Sequence, residues 1–286
     1  MAEGILYVVS TPIGNLEDIS LRALRILGEV ALIAAEDTRH TRKLLNHFKL
    51  ETPATAYHEH NKLTRLDFIL DKLRDGQKVA LVSDAGTPCL SDPGWELVRA
   101  CLDAGVAVDA IPGPAAPLVA LVLSGFALQE FTYVGFPPRS KNELKAFFSR
   151  LRPELNRRPL VLLEAPHRLV ATLTIALEVL GERPVAIGRE LTKLYQEVRR
   201  EPLSLALAHF RQTDPRGEFT LVFGPGAIDE QTLDLEQATA IDPTERLGQL
   251  KAEGAHAKTA LEIVARETGL NRRQLYDIWL KLDTAN

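Results

Sequence analysis

The sequence predicts an α/β protein of two layered domains followed by a small helical tail. Three observations carry this reading. Through residue 111, short β-branched and small apolar runs alternate with stretches of helical period. After Gly125, strand-like runs come with fewer helices between them, and beyond an acidic stretch at 227–244 the pattern is helical only. Strands joined by helices imply parallel pairing, with helices packed on the faces of the sheet.

Residues 1–125 read as the first domain. Residues 5–10 form a strand, 20–27 a helix with Leu21, Leu24 and Leu27 in register, 31–35 a strand, 41–48 a helix and 55–58 a third strand. Residues 63–73 make an amphipathic helix with Leu63, Leu66, Leu70 and Leu73 on one stripe and Gly76 just past its end. Residues 79–83, 95–104 and 106–111 repeat the strand–helix–strand unit. In such sheets ligands bind beyond the carboxyl ends of the strands.

Residues 126–226 read as a second domain, with strands at 131–135, 160–164, 185–189 and 219–223. Only two or three helices separate them, so a mixed sheet is expected. Residues 227–244 read as an acidic linker and 245–286 as a helical tail. In the tail, Ala265, Gly269 and Leu275 have helix-turn-helix spacing, and Asn271 with Gln274 would cap the second helix. Two uses fit that motif: nucleic-acid contact, and packing or dimerisation.

Composition narrows the class. Hydrophobic residues at 45% and charged residues at 25% exclude a disordered or fibrous chain. Cys89 and Cys101 are the only cysteines, too few for a disulfide framework or a Cys-rich zinc site, and a reducing cytoplasm is expected. The amino terminus has no basic residue ahead of its apolar run, so no signal peptide is expected. Residues 110–128 carry no charge, but Pro112, Pro114 and Pro117 break the run. What remains is shorter than the ~20 residues that span a bilayer.

Charge is uneven. Residues 139–158 hold seven basic and two acidic side chains, a net +5, against −9 on the rest of a chain whose formal charge is −4. A basic island on an acidic body suggests a local contact with a polyanion, or else an ordinary solvated helix face.

The residues suited to chemistry stand where strands end. They are Thr11-Pro12-Ile13-Gly14-Asn15, Glu36-Asp37-Thr38-Arg39-His40, His58-Glu59-His60-Asn61, Ser83-Asp84-Ala85-Gly86-Thr87-Pro88 with Ser91-Asp92-Pro93-Gly94, and Pro112-Gly113-Pro114-Ala115-Ala116. Small side chains in several of these loops suit a flat ligand lying against backbone, such as an adenosine. His58 and His60 share a strand face but lack a third ligand at supporting spacing, so no metal is expected. There is no Walker loop, G-x-G-x-x-G string or nucleophile elbow. Transfer from a bound carrier, driven mainly by positioning, remains.

These loops resemble the tetrapyrrole-methylase superfamily of S-adenosylmethionine enzymes, and within it the branch that modifies small-subunit ribosomal RNA. The similarity runs over residues 6–223, with a weaker match in the tail. Gly135-Phe136-Pro137, Glu164-Ala165-Pro166-His167-Arg168 and Arg189-Glu190-Leu191-Thr192-Lys193 carry it further along the chain. Members acting on tetrapyrroles tend to have Gly-Asp-Pro at the fourth strand, where this chain has Ser83-Asp84-Ala85, which favours the RNA branch.

The resemblance implies two α/β domains with S-adenosyl-L-methionine in the cleft between them, and a homodimer. It also implies 2′-O-methylation of a cytidine in the decoding region of 16S rRNA, on free rRNA or on the small ribosomal subunit. Cofactor contacts are implied at Pro12, Ile13, Gly14, Asp84, Ala85, Gly86, Thr87, Pro88, Ala115 and Ala116. In the second domain they are implied at Leu163, Ala186, Ile187, Gly188, Phe219 and Thr220. Glu36, Asp37 and His58 are the candidates to accept or orient the hydroxyl proton, with an ion pair to Arg39 as the alternative role for the carboxylates. Phosphates would meet Arg39, Arg42, Lys43, Arg139, Lys141, Lys145 and Arg168. Two other readings stay open, a methylase of a tetrapyrrole or other small acceptor and a non-catalytic RNA-binding protein on the same fold.

Overall fold

The computed structural model describes residues 4–59, 61–226, 242–253, 255–268 and 272–284. The chain divides into two compact units, Met1–Gly226 and Ala227–Asn286.

The larger unit holds two five-stranded sheets. The first contains β1 (Ile5–Val9), β2 (Leu32–Ala35), β3 (Ala54–Ala56), β4 (Lys78–Val82) and β5 (Ala107–Ile111) in the order β3-β2-β4-β1-β5, all parallel. Its helices are α1 (Leu21–Glu29), α2 (Thr38–His47), α3 (Lys62–Arg74) and α4 (Trp95–Asp103). Successive strand side chains point to opposite faces. Tyr7 and Val9 therefore pack with Ile26, Leu27 and Leu45, while Leu6 and Val8 pack with Ile69, Leu73 and Leu97. Both faces are covered, which is why these strands read as nearly unbroken apolar runs.

The second sheet contains β6 (Thr132–Tyr133), β7 (Leu160–Glu164), β8 (Pro184–Arg189), β9 (Glu197–Pro202) and β10 (Phe219–Phe223) in the order β6-β7-β10-β8-β9. It is mixed: β6 and β7 are parallel, and the other neighbours are antiparallel. Helices α6 (Lys141–Leu155), α7 (Pro166–Leu180) and α8 (Leu203–Gln212) cover one face, burying Phe148, Leu173 and Phe210 against Leu162, Leu221 and Phe223. Strand β9 has no counterpart in the sequence reading. Its Glu-Val-Arg-Arg-Glu-Pro string lacks apolar alternation, as suits an edge strand protected by charge.

The other face of this sheet is covered by α5 (Ala116–Ser124), whose Ala120 and Leu121 lie on Val161, Ala186 and Val222 together with Ile13 and Leu191. This helix precedes the sequence-drawn boundary at 125/126, yet it packs on the second sheet. Gly125 ends it at φ +79°, a left-handed conformation suited to glycine. No helix among the described residues is long and apolar enough to cross a membrane.

In the smaller unit, α9 (Pro243–Ala252), α10 (Ala257–Thr268) and α11 (Arg272–Thr284) bury Leu247, Leu250, Leu261, Val264, Leu275 and Trp279 together. Helix α9 starts two residues inside the stretch read as linker, capped by Asp242, whose carboxylate accepts from the Thr244 N–H at 2.8 Å. Residues 227–241, Gly269 and Asn271 lie outside the described residues, and with them the turn of the expected helix-turn-helix.

Candidate active site

Strands β4, β1 and β5 are neighbours, so the loops leaving their carboxyl ends meet. Thr11 and Gly86 exchange backbone hydrogen bonds at 2.9 and 3.0 Å, and the Thr11 hydroxyl donates to the Ser83 carbonyl at 3.2 Å. Ser10 Oγ and Thr87 Oγ1 lie 2.9 Å apart, and Thr87 donates on to the Pro114 carbonyl at 3.3 Å. Gly86 has φ +81°, and a Cβ there would stand 3.4 Å from Ile13 Cγ2. Only glycine takes this conformation freely, and here it lets backbone form the wall.

The result is a cleft of about 380 Å³ between the two sheets, within the size range of small-ligand sites. One wall is Ala85, Gly86, Thr87, Ala115 and Ala116; the other is Tyr133, Leu163, Phe219 and Thr220, with Ile13, Leu90, Phe136 and Leu191 completing it. Five carboxylates line it, Glu36, Asp84, Asp92, Glu164 and Glu218, and no lysine or arginine among the described residues does.

Each carboxylate has its own setting. Glu36 accepts from the Asp84 N–H at 3.2 Å, and Asp84 accepts from the Asp37 N–H at 3.0 Å. Burial raises the pKa of Glu36, the Asp84 N–H opposes this, and the Asp84 charge adds to it. Glu164 is buried, accepts from the Ala165 N–H at 2.9 Å and from the Thr172 hydroxyl, and lies 3.5 Å from Arg168 Nε. Glu218 pairs with Lys193 at 3.0 Å. Asp92 is pushed up to about 6, first by burial and then by the Glu36 charge, with the Ser83 hydroxyl opposing.

Asp92 sits in a strained loop between β4 and α4. Cys89 and Ser91 have φ +71° and +68°, conformations that cost a non-glycine residue about 1–3 kcal/mol each. Ser91 Oγ lies 2.8 Å from Tyr133 Oη, tying this loop to β6 of the second sheet.

Among the residues singled out by sequence, Ile13, Glu36, Asp84, Ala85, Gly86, Thr87, Ala115, Ala116, Leu163, Phe219 and Thr220 line the cleft. The others stand elsewhere. Pro12 lines a smaller pocket of about 110 Å³ with His40, Thr41, Lys43 and Asp84. A Cβ at Gly14 would collide with Lys193 Cγ and, at 2.8 Å, with Thr192 Oγ1, so this position stands against the 190–196 turn. Ala186 and Ile187 are buried in β8, Gly188 faces Leu191, and Pro88 is not part of the lining.

Asp37 does not join the lining either. It caps α2, accepts from the Arg39 N–H at 2.8 Å and pairs with the Arg39 guanidinium at 2.7 Å, contacts that hold its carboxyl far below the usual range. His58 lies outside the lining but close enough to Glu36 to oppose the rise in its pKa. His60 lies outside the described residues, among which no group of three metal-ligating side chains occurs.

The cations divide as well. Arg39, Arg42 and Lys43 are exposed on α2, and Arg139 and Lys141 are exposed at the start of α6. Lys145 is spent on Glu178, and Arg168 is half-buried, donating to the Pro137 and Pro138 carbonyls at 2.9 and 2.6 Å. Arg168 thus clamps the loop that carries Arg139. Asp92, Glu164, Tyr133 and Phe136 were missed as site residues, although Asp92, Glu164 and Phe136 lie inside strings already noted for their chemistry or resemblance.

Comparison with known proteins agrees with this architecture. The family model described as Tetrapyrrole (Corrin/Porphyrin) Methylases matches residues 5–206. A Synechocystis protein named Ribosomal RNA small subunit methyltransferase I is 46% identical over 281 residues, 98% of this chain and 99% of its own. A Thermotoga maritima protein of the same name is 48% identical over 219 residues, 77% of this chain and 97% of its own. In fold the chain is similar to uroporphyrin-III C-methyltransferase from Thermus thermophilus, solved with S-adenosylhomocysteine, at TM-score 0.55 and 21% identity over 77% of this chain and 97% of that one. The family match covers the whole first sheet and the second as far as β9 and the start of α8, stopping short of β10. The chain belongs to the tetrapyrrole methylase family.

Proposed function

We propose that this protein methylates the 2′-hydroxyl of a cytidine ribose in the decoding region of 16S rRNA, using S-adenosyl-L-methionine bound between its two sheets. One observation carries the cofactor assignment: the cleft is walled by alanine, glycine and backbone and, among the described residues, lined by carboxylates without a lysine or arginine. A sulfonium compound bearing an ammonium group is positive at two points, and such a lining attracts it. The amino end of α5 has no side-chain cap at Ala115; Pro117 has no N–H and the Leu118 N–H is bonded to the Ala115 carbonyl, so the Ala116 N–H is the one that would receive a carboxylate.

When bound, the cofactor supplies an activated methyl group. The chain does the rest. Gly86 and its alanine neighbours admit a flat ring system against backbone, and Leu90, Tyr133 and Phe136 exclude water from it. Glu36, with His58 beside it, fixes the charge at the acceptor end. Exposed Arg39, Arg42 and Lys43 follow directly on the Glu36 loop, and Lys43 shares the smaller pocket with Asp84. They give a polyanion a path to an acidic cleft that would otherwise repel it.

The rRNA acceptor is supported by the names of the relatives and by these cations. A homodimer fits the exposed Leu118, Val122, Leu194 and Tyr195, apolar side chains that a second copy would cover. The discriminating experiment offers the purified protein methyl-labelled cofactor with small ribosomal subunits, free 16S rRNA or a tetrapyrrole. Label in the rRNA supports this reading, and label only in the tetrapyrrole defeats it.

A further inference from the structure

Methyl transfer to a hydroxyl must dispose of a proton, and the hydroxyl of a ribose is a weak acid. We infer that Asp92 receives that proton, an assignment that rests on the ribose-methylation reading above and adds a residue to it.

The five carboxylates of the cleft differ in what already occupies them. Asp84 already accepts the Asp37 N–H, Glu164 is saturated by Ala165, Thr172 and Arg168, and Glu218 is paired with Lys193. Glu36 is bound to the Asp84 N–H. Asp92 has no cation and no backbone N–H against it among the described residues; the Ser83 hydroxyl that bears on it also donates to the Ala85 carbonyl at 3.3 Å. Of the five, it alone is met by neither a backbone N–H nor a cation among the described residues.

Its placement is built. The Ser91–Tyr133 hydrogen bond spans 42 residues and holds the loop across the mouth between the sheets. Gly94 closes the loop at φ +141°, against Leu81 and Cys89. The groups facing Asp92 are Glu36 from the loop after β2, Asp84 and Cys89 from its own loop, and Tyr133 from β6. His58 stands behind Glu36. Burial and the Glu36 charge raise Asp92 to about 6, so it is ionised at neutral pH yet basic enough to be useful there.

The step balances. The hydroxyl oxygen bonds to the methyl carbon as the carbon–sulfur bond breaks, and its electron pair stays on sulfur as a neutral thioether. The hydroxyl proton passes to the Asp92 carboxylate and leaves to water after the products depart.

The test uses the full chain, labelled cofactor and small ribosomal subunits. Asp92→Asn should lose roughly 10²–10⁴-fold in single-turnover rate measured at saturating cofactor. Asp92→Glu should recover part of the rate. Independently of turnover, the ¹³C carboxyl signal of Asp92 in the ligand-free protein should titrate near 6. Ribose-methylated product with an Asp92→Asn rate within about tenfold of the parent overturns the assignment alone. So does a carboxyl signal that titrates as an ordinary aspartate. Methylation on a base overturns both the assignment and the reading beneath it.

Discussion

Glu36 and Asp84 interlock across 48 residues: the Asp84 N–H donates to Glu36 Oε2, while Asp84 Oδ1 accepts the N–H of the next residue, Asp37. Two loops from neighbouring strands are thereby fixed with Glu36 turned into the cleft and Asp37 turned out to cap α2.

That division of labour separates two adjacent carboxylates. Asp37→Asn should leave the single-turnover rate within about threefold of the parent, since asparagine also caps helices. Glu36→Gln removes a charge that raises the pKa of Asp92. The midpoint of the pH–rate profile should therefore fall below about 6 in that variant. Single-turnover rates across pH 4–9 (a range of about five units around these carboxylates) check both.

Asp92 should cost stability where it is charged. Its carboxyl titrates at about 6 in the fold against 3.8 for an unperturbed aspartate, so the fold holds this proton more tightly than the unfolded chain. The stabilisation is complete below the lower value and is lost as pH rises through the higher. Asp92→Asn should therefore stabilise the protein near pH 8 by about 1–2 kcal/mol, a figure discounted for partial solvent access. Below about pH 4 the gain should vanish, which denaturant melts at the two pH values would show.

Gly86 should be replaceable in the fold but not in the site. Both Gly86 and Gly105 have positive φ, +81° and +71°, but a Cβ at Gly105 meets nothing within 4 Å. Tryptophan at either position bears a similar backbone cost of roughly 1–2 kcal/mol. Calorimetry should find cofactor binding lost in Gly86→Trp and retained in Gly105→Trp.

For RNA, the ion pairs decide which cations count. Replacing Arg139 and Lys141 together by alanine should lower the log–log salt slope of rRNA binding by about 1.4 for single-stranded contacts, near 0.7 each. Lys145→Ala should leave it almost unchanged, because Glu178 already holds that charge. Equal effects from all three would mean that the Lys145–Glu178 pair opens on binding.

The sequence carried the first sheet and half of the cleft plainly, for physical reasons. Strands buried on both faces are apolar throughout, and loops such as Ser83-Asp84-Ala85-Gly86-Thr87-Pro88 must be small where backbone meets a ligand. What escaped depends on contacts made at a distance. Asp92 looked like part of a turn until Ser91 met Tyr133. Lys145 looked free until Glu178, 33 residues on, neutralised it. Strand β9 is hidden by its own charges, and α5 gives no local sign that it packs on a sheet not yet synthesised.

The central claim is the identity of the acceptor atom. Small ribosomal subunits can be incubated with the protein and labelled cofactor, the 16S rRNA digested to nucleosides, and the labelled nucleoside identified by mass spectrometry and placed by fragment mapping. The account predicts a single 2′-O-methylcytidine, located in the decoding region, with no label on any base. A base-methylated nucleoside, or rRNA that takes up no label, would contradict it.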